Sequence, residues 1–277
     1  GQGSPIQGLG HADIIQAHGG SSWIVFHGYR SIGGTHHIIG RETCLAPVSW
    51  PEHGWPVVNG NGTITTDMTC PTLPLKPFGP IPSLTDFSSG KINLEWNYLR
   101  YPSQENYSLS SRKGFLRLKG SGQTIEDRKS PTFIGRRVQD LSFSASTQLE
   151  FNPSNANEEA GFILLNNGAH FDILIKRSGG KRVAVASLRF GNVVHESDAV
   201  VLKPGPVKLI IKGERSNFTF LCQQGSEEPK ELIKAMARYL SSETVGGFTG
   251  LYVGMYATGN GKASTAFADY DWFEYKK

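Results

Sequence analysis

The sequence predicts an all-β protein in two parts, a short meander of strands followed by a β-sandwich. Three observations predict it. Apolar residues make up 38% of the 277-residue chain, alongside 33 glycines and 15 prolines, a balance that suits a loop-rich β protein rather than a helical one. Short apolar runs at 13–16, 22–27 and 37–45 are separated by Gly-, Ser- and His-rich turns, the punctuation of strands that return beside one another. From Lys91 onward, alternating segments recur between turn signals about 8–12 residues apart, the spacing of a sandwich.

Residues 1–75 form the meander. Trp23, Trp50 and Trp55 give it large apolar area, Gly60-Asn61-Gly62 is a turn signal, and 63–66 reads as a further short strand. Prolines then recur from Pro71 to Pro82. Each lacks a ladder donor and stiffens the chain, so 76–90 reads as a semi-rigid connector, with Leu73, Leu75 and Phe78 expected to anchor it. The sandwich occupies 91–277. Its expected strands include 114–118, 141–145, 160–165, 171–176, 182–190, 207–212, 218–223 and 249–256, and one short helix is expected within 227–240.

The formal net charge is +4, from 28 basic and 24 acidic residues. The charges are dispersed, which indicates a solvated surface and gives nucleic-acid binding no support. No apolar run reaches the length of a membrane span, and no signal peptide is visible. Cys44, Cys70 and Cys222 are odd in number and lack metal-ligand spacing. Sequons at Asn61, Asn106 and Asn217 point toward a secreted, glycosylated protein.

Two polar residues stand out in the meander. His11 opens the first run, and Arg41 lies in the third. A guanidinium among apolar residues needs a carboxylate or a polar ligand, so Arg41 either pairs with Asp13 or Glu42 or faces a ligand. In the segment A-F-A-D-Y-D-W-F-E-Y, strict alternation puts Phe267, Asp269, Asp271 and Phe273 on one face. Two acids on an apolar face suit a structural Ca²⁺; a surface or salt-bridged pair is the alternative.

The segments G-H-A-D-I-I, W-I-V-F-H-G-Y-R and G-R-E-T-C-L-A-P-V-S-W followed by G-W-P resemble the late propeller blades of glycoside hydrolase family 43, in its β-xylosidase and α-L-arabinofuranosidase branch. L-E-W-N-Y-L-R-Y-P and the last forty or so residues resemble that family's C-terminal module. The resemblance implies the last one to two blades of a five-bladed propeller, followed by a concanavalin-like or jelly-roll sandwich. It also implies an inverting glycosidase acting on xylan- or arabinoxylan-derived substrates, with an Asp base, a Glu acid and an Asp that tunes the acid. In the family those carboxylates lie on earlier blades, and neither Asp13, Asp67, Glu42 nor Glu52 matches their motifs.

What the resemblance does place here is the rest of the pocket. Arg41, in G-R-E-T, matches the arginine that reaches the innermost sugar. His11, in G-H-A-D, matches a histidine near the propeller axis, beside a water-bound cation or ordering the pocket; a hydrogen-bonded core histidine is the alternative. Phe248, in G-G-F-T-G, resembles a sandwich-loop aromatic that caps the active site; a core aromatic is the alternative. The expected partners are a chain or segment carrying the earlier blades, and a xylo- or arabino-oligosaccharide. Apolar faces at Ile14, Ile24, Phe26, Ile38 and Leu45 would await those blades. No cofactor is needed for the chemistry. A non-catalytic carbohydrate-binding protein derived from such an enzyme is the second reading.

Overall fold

A computed structural model describes residues 4–277. Near the start, four antiparallel strands form one sheet in chain order: β1 (Ile6–Gln16), β2 (Ser22–Arg30), β3 (Glu42–Ser49) and β4 (Val57–Val58). Each strand pairs with the next, as in a single propeller blade. Ile6, Phe26, Ala46 and Ile64 make a small core on one side.

The remaining strands are β5 (Leu84–Thr85), β6 (Asn97–Tyr98), β7 (Tyr107–Ser108), β8 (Leu116–Lys119), β9 (Thr132–Arg137), β10 (Ser142–Glu150), β11 (Glu159–Asn166), β12 (Ala169–Ser178), β13 (Lys181–Phe190), β14 (Val193–Glu196), β15 (Val200–Val201), β16 (Val207–Glu214), β17 (Asn217–Gln223), β18 (Lys230–Met236), β19 (Tyr252–Thr258) and β20 (Phe267–Lys276). They make two sheets. One runs β18-β17-β16-β10-β20-β8-β7 with β5 on β20, and the other runs β14-β13-β12-β11-β19-β9-β6 with β15 on β13. Their facing sides bury the main core, in which Phe162, Phe218, Phe220, Tyr270 and Phe273 are almost wholly enclosed. The Tyr270 hydroxyl donates to the Gly161 and Tyr256 carbonyls at 2.8 and 2.9 Å, tying one sheet to the other.

Four expectations need correcting. The helix within 227–240 is instead strand β18 followed by a 3₁₀ turn at Ala237–Leu240. Pairing with β17 across Asn217↔Met236 to Cys222↔Lys230 outweighs a mixed helical phase. Leu75 and Phe78 do not anchor the connector, each being 92% exposed. The proline-rich chain around them offers no ladder partner, and only Leu73 is half-buried. The apolar residues expected to await other blades divide. Ile14 is exposed, whereas Phe26 is covered within its own sheet and Ile38 is wholly buried in the sandwich core.

The fourth correction concerns the acidic pair. Gln148 pairs with Trp272 and Leu149 with Tyr270, so Asp271 is the extra residue of a β-bulge and alternation breaks there. The bulge turns Phe273 into the core beside Tyr270, away from the face that carries Asp269. The Asp269 carboxylate accepts from Arg117 Nε at 2.7 Å, Arg117 Nη2 at 2.8 Å and Arg112 Nη1 at 3.0 Å. Burial pushes the Asp269 carboxyl up, but these arginine bonds outweigh it and hold it below the usual range. Asp271 accepts from Gln148 Nε2 at 3.1 Å. Among the described residues, no three His, Cys, Asp or Glu side chains are grouped to hold a metal ion.

Candidate functional site

The link between β2 and β3 leaves the blade and enters the sandwich. Gly33 and Gly34 turn the chain at φ +57 and +88, and Ile32, Ile38 and Ile39 join the sandwich core. Hydrogen bonds to the sandwich then hold His37 and Ile38 in place. The His37 backbone N–H donates to Glu243 Oε2 at 2.9 Å, and its ring Nδ1 lies 2.5 Å from Glu243 Oε1. The Ser242 N–H donates to the His37 carbonyl at 3.2 Å, and the Leu251 N–H donates to the Ile38 carbonyl at 2.8 Å. On its other side the His37 ring stacks on Tyr29 of β2 with centroids 4.2 Å apart. Burial pushes the Glu243 carboxyl up, but the bonds from His37 outweigh it and hold it low.

At Gly40 the two parts meet backbone to backbone. A Cβ there would lie 2.4 Å from the Gly250 nitrogen, and one on Gly250 would lie 2.2 Å from the Ile39 carbonyl carbon. Gly40 also has φ +78, so glycine is required for both reasons. The chain leaves this contact at Arg41, immediately before β3 rather than inside it.

Arg41 is exposed and, among the described residues, has no ion-pair partner. Glu42 is taken by Arg30, which donates from Nε at 2.9 Å to Oε2 and from Nη2 at 2.8 Å to Oε1. Asp13 is exposed on β1. The Arg41 guanidinium instead lies over the Phe248 ring, 4.1 Å from its centroid. Phe248 is 68% exposed, so it is not a core aromatic. It stands on the segment between the short helix α1 (Ser242–Val245) and β19. Together they border an open cleft of roughly 440 Å³, whose walls also include Arg137, Gln139 and Thr249. Five fixed guanidinium donors beside an exposed aromatic face suit a ring of hydroxyls with one apolar side.

His11 lies elsewhere. It sits within β1 at φ +53, where register shifts flank it between Gly10 and Asp13. It is exposed, its ring is 6.3 Å from that of His27, and it is not among the residues lining the cleft. Of the sequons, Asn61 is exposed in the turn after β4, whereas Asn106 and Asn217 are half-buried. The three cysteines are free thiols. Sequence reading missed Glu243, Gly40 and Gly250. The glycines flanking Arg41 and following Phe248 were the available signal.

Residues 84–276 match the family described as "Beta xylosidase C-terminal Concanavalin A-like domain", and residues 1–56 match "Glycosyl hydrolases family 43". A non-reducing end alpha-L-arabinofuranosidase of Bacteroides ovatus is 38% identical over 98% of this chain and 52% of its own. A xylosidase/arabinosidase of Butyrivibrio fibrisolvens is 31% identical over 99% of this chain and 53% of its own. The solved structure of a Bacteroides ovatus protein titled "Xyloglucan PUL GH43B" superposes with a TM-score of 0.95 at 37% identity, over 99% of this chain and 55% of that one. The chain thus spans about half the length of the relatives it matches. Matches to both of the family's parts, in that order along the chain and on this fold, place the protein in glycosyl hydrolase family 43.

Proposed function

We propose that this chain is the C-terminal part of an inverting glycosidase that removes terminal xylose or arabinose from xylan- or arabinoxylan-derived oligosaccharides. The observation that carries this reading is the meeting of Arg41 and Phe248. They come from different parts of the chain yet face each other across 4.1 Å in one open cleft. The relatives' printed names, arabinofuranosidase and xylosidase/arabinosidase, support the substrate class.

In this reading the Arg41 donors hold sugar hydroxyls and support a neighbouring carboxylate, while the Phe248 ring covers the apolar face of the sugar. The acid and base stand on the remaining propeller blades. One protonates the leaving oxygen while the other activates a water on the opposite side of the bond. Those blades belong to an N-terminal portion or partner chain docked against the four-stranded sheet. Exposed Leu9, Ile14 and Ile15 on β1 support that docking, because an open edge with an apolar flank is a pairing surface.

The test is Arg41→Ala in the assembled enzyme. It should lower kcat/KM by about 10²-fold, about 3 kcal/mol, as expected for a lost charged donor in a pocket. Melting should hold, since Arg41 has no ion pair among the described residues to lose. Near-normal turnover with a collapsed melting temperature would overturn the assignment.

A further inference from the structure

We infer that Asn167 and Arg137 are positioning residues for Phe248, clamping the two ends of the arch that carries its ring. This rests on the reading of Phe248 as part of the sugar pocket.

The arch runs from Val245 to Gly250. Two glycines precede its apex, Gly246 at φ +80 and Gly247 at φ +87. Phe248 itself is mostly exposed, and its ring meets Arg41 across the cleft. A glycine pair followed by an exposed aromatic has wide backbone freedom. Side chains from the sandwich remove that freedom at both ends. At the first end, Asn167 Nδ2 donates to the carbonyls of Val245 at 3.0 Å and Gly246 at 3.2 Å. Asn167 occupies the tight turn between β11 and β12, at φ +47 beside Gly168, directly after the Asn166↔Ala169 pair. The amide is thus held by a two-residue hairpin, which is a stiff mount. A Cβ on Gly247 would lie 3.6 Å from the same Nδ2, so the amide lies against the glycine pair.

At the second end, Arg137 Nη1 donates to the Gly250 carbonyl at 2.9 Å. The guanidinium stacks 4.5 Å over the ring of Tyr252, its cross-strand partner. Gly250 is also the residue that Gly40 touches. Arg137 therefore ties the Phe248 arch to the contact from which Arg41 emerges. Between the ends, Ser242 Oγ donates to the Thr249 carbonyl at 2.7 Å, and the Thr249 hydroxyl donates to Asn166 Oδ1 of β11 at 3.3 Å. Asn167 and Arg137 thus hold the two ends of the arch on either side of Phe248, and neither needs to touch the scissile bond.

The experiment measures the assembled enzyme on an aryl xyloside and an aryl arabinofuranoside. The variants are Phe248→Ala, Asn167→Gly, Arg137→Met, Arg137→Lys, and Asn167→Gly combined with Phe248→Ala. Glycine at 167 keeps the left-handed turn and removes only the amide, which guards against misfolding. Asn167→Gly and Arg137→Met should each raise KM about 5- to 10-fold with kcat changed less than about 2-fold, below the about 10²-fold loss of a misplaced reacting group. Arg137→Lys, which keeps a donor, should recover part of the loss. In the Phe248→Ala background, Asn167→Gly should add less than about 2-fold, because its effect passes through the ring. If Phe248→Ala leaves KM unchanged, the pocket reading itself is wrong. If Phe248→Ala raises KM but Asn167→Gly does not, or if the two effects multiply in the double variant, the clamp is wrong.

Discussion

Replacing Gly250 with alanine tests whether the blade and the sandwich form one rigid pocket wall. The new Cβ would lie 2.2 Å from both the carbonyl carbon and the oxygen of Ile39, and 2.5 Å from the Gly40 nitrogen. All three are backbone atoms, so no side-chain rotation relieves the overlap. Ordinary carbon contacts need about 3.5 Å, so the two segments must part by about 1 Å. That stretches the 2.8 Å bond from the Leu251 N–H to the Ile38 carbonyl beyond bonding distance. Leaving buried partners unsatisfied costs about 1–3 kcal/mol. Ile38 and Ile39 are 0% and 7% exposed, and drawing either into water costs a further amount of about 1.5–3 kcal/mol. We expect a loss of about 3 kcal/mol, with partial rather than full withdrawal of the isoleucines. For a domain of this size that lowers Tm by about 6–12 °C. The same parting lifts Arg41 from Phe248, and a 1 Å misplacement costs about 10²-fold in rate. Differential scanning calorimetry and kcat/KM well below Tm measure both effects in the assembled enzyme. A Gly250→Ala protein with wild-type melting and wild-type kinetics would refute the rigid contact.

Other expected outcomes concern the sandwich. Tyr270→Phe removes the hydroxyl that spans the Gly161 and Tyr256 carbonyls, and urea unfolding should show a loss of about 1–3 kcal/mol. Asp269→Asn should destabilise by a similar amount, about 1–3 kcal/mol, because Arg112 and Arg117 lose a charged acceptor; a calcium dependence of Tm abolished by this variant would instead mark Asp269 as a cation ligand. Burial pushes the Glu158 carboxyl up, but bonds from the Thr265 hydroxyl and the Asn155, Thr265 and Ala266 N–H groups outweigh it and bring it down to about 2. A depressed folded pKa gives stability above the ordinary value of 4.5 that is lost as pH falls toward 2, and Glu158→Gln should flatten that limb in acid melts. Burial pushes the His170 ring down, but Asp172 and Glu126 outweigh it and raise it to about 9. A raised folded pKa gives stability that is full below 6.5 and lost as pH rises through 9, so His170→Gln should remove the alkaline limb of a Tm–pH curve.

The strands of the sandwich were legible because each core segment alternates or runs apolar between glycine turns. Segment 207–212 and segment 218–223, for example, became β16 and β17 with little change. Segment 227–240 misled because an edge strand with charged residues on its outer side carries a weak period, and the decision came from pairing with β17. Strict alternation failed at Asp271 because a bulge is fixed by the facing strand β10, which the local pattern does not record. Arg41 and Phe248 were found singly, by their resemblance to family residues. Their meeting depends on contacts such as His37 with Glu243, which lie 206 residues apart and leave no mark on either local segment. Ile38 shows the same limit. It reads as a blade residue by position, yet it packs in the sandwich core.

The most direct measurement of the central claim is hydrolysis by this chain with and without the rest of the propeller. The 277-residue chain is refolded alone and assayed on an aryl xyloside and an aryl arabinofuranoside, then assayed again after adding a chain that carries the earlier blades. The account predicts no turnover by the isolated chain and turnover on complementation, with Arg41→Ala abolishing most of the restored rate. A soluble, monomeric chain that hydrolyses either substrate by itself would contradict it.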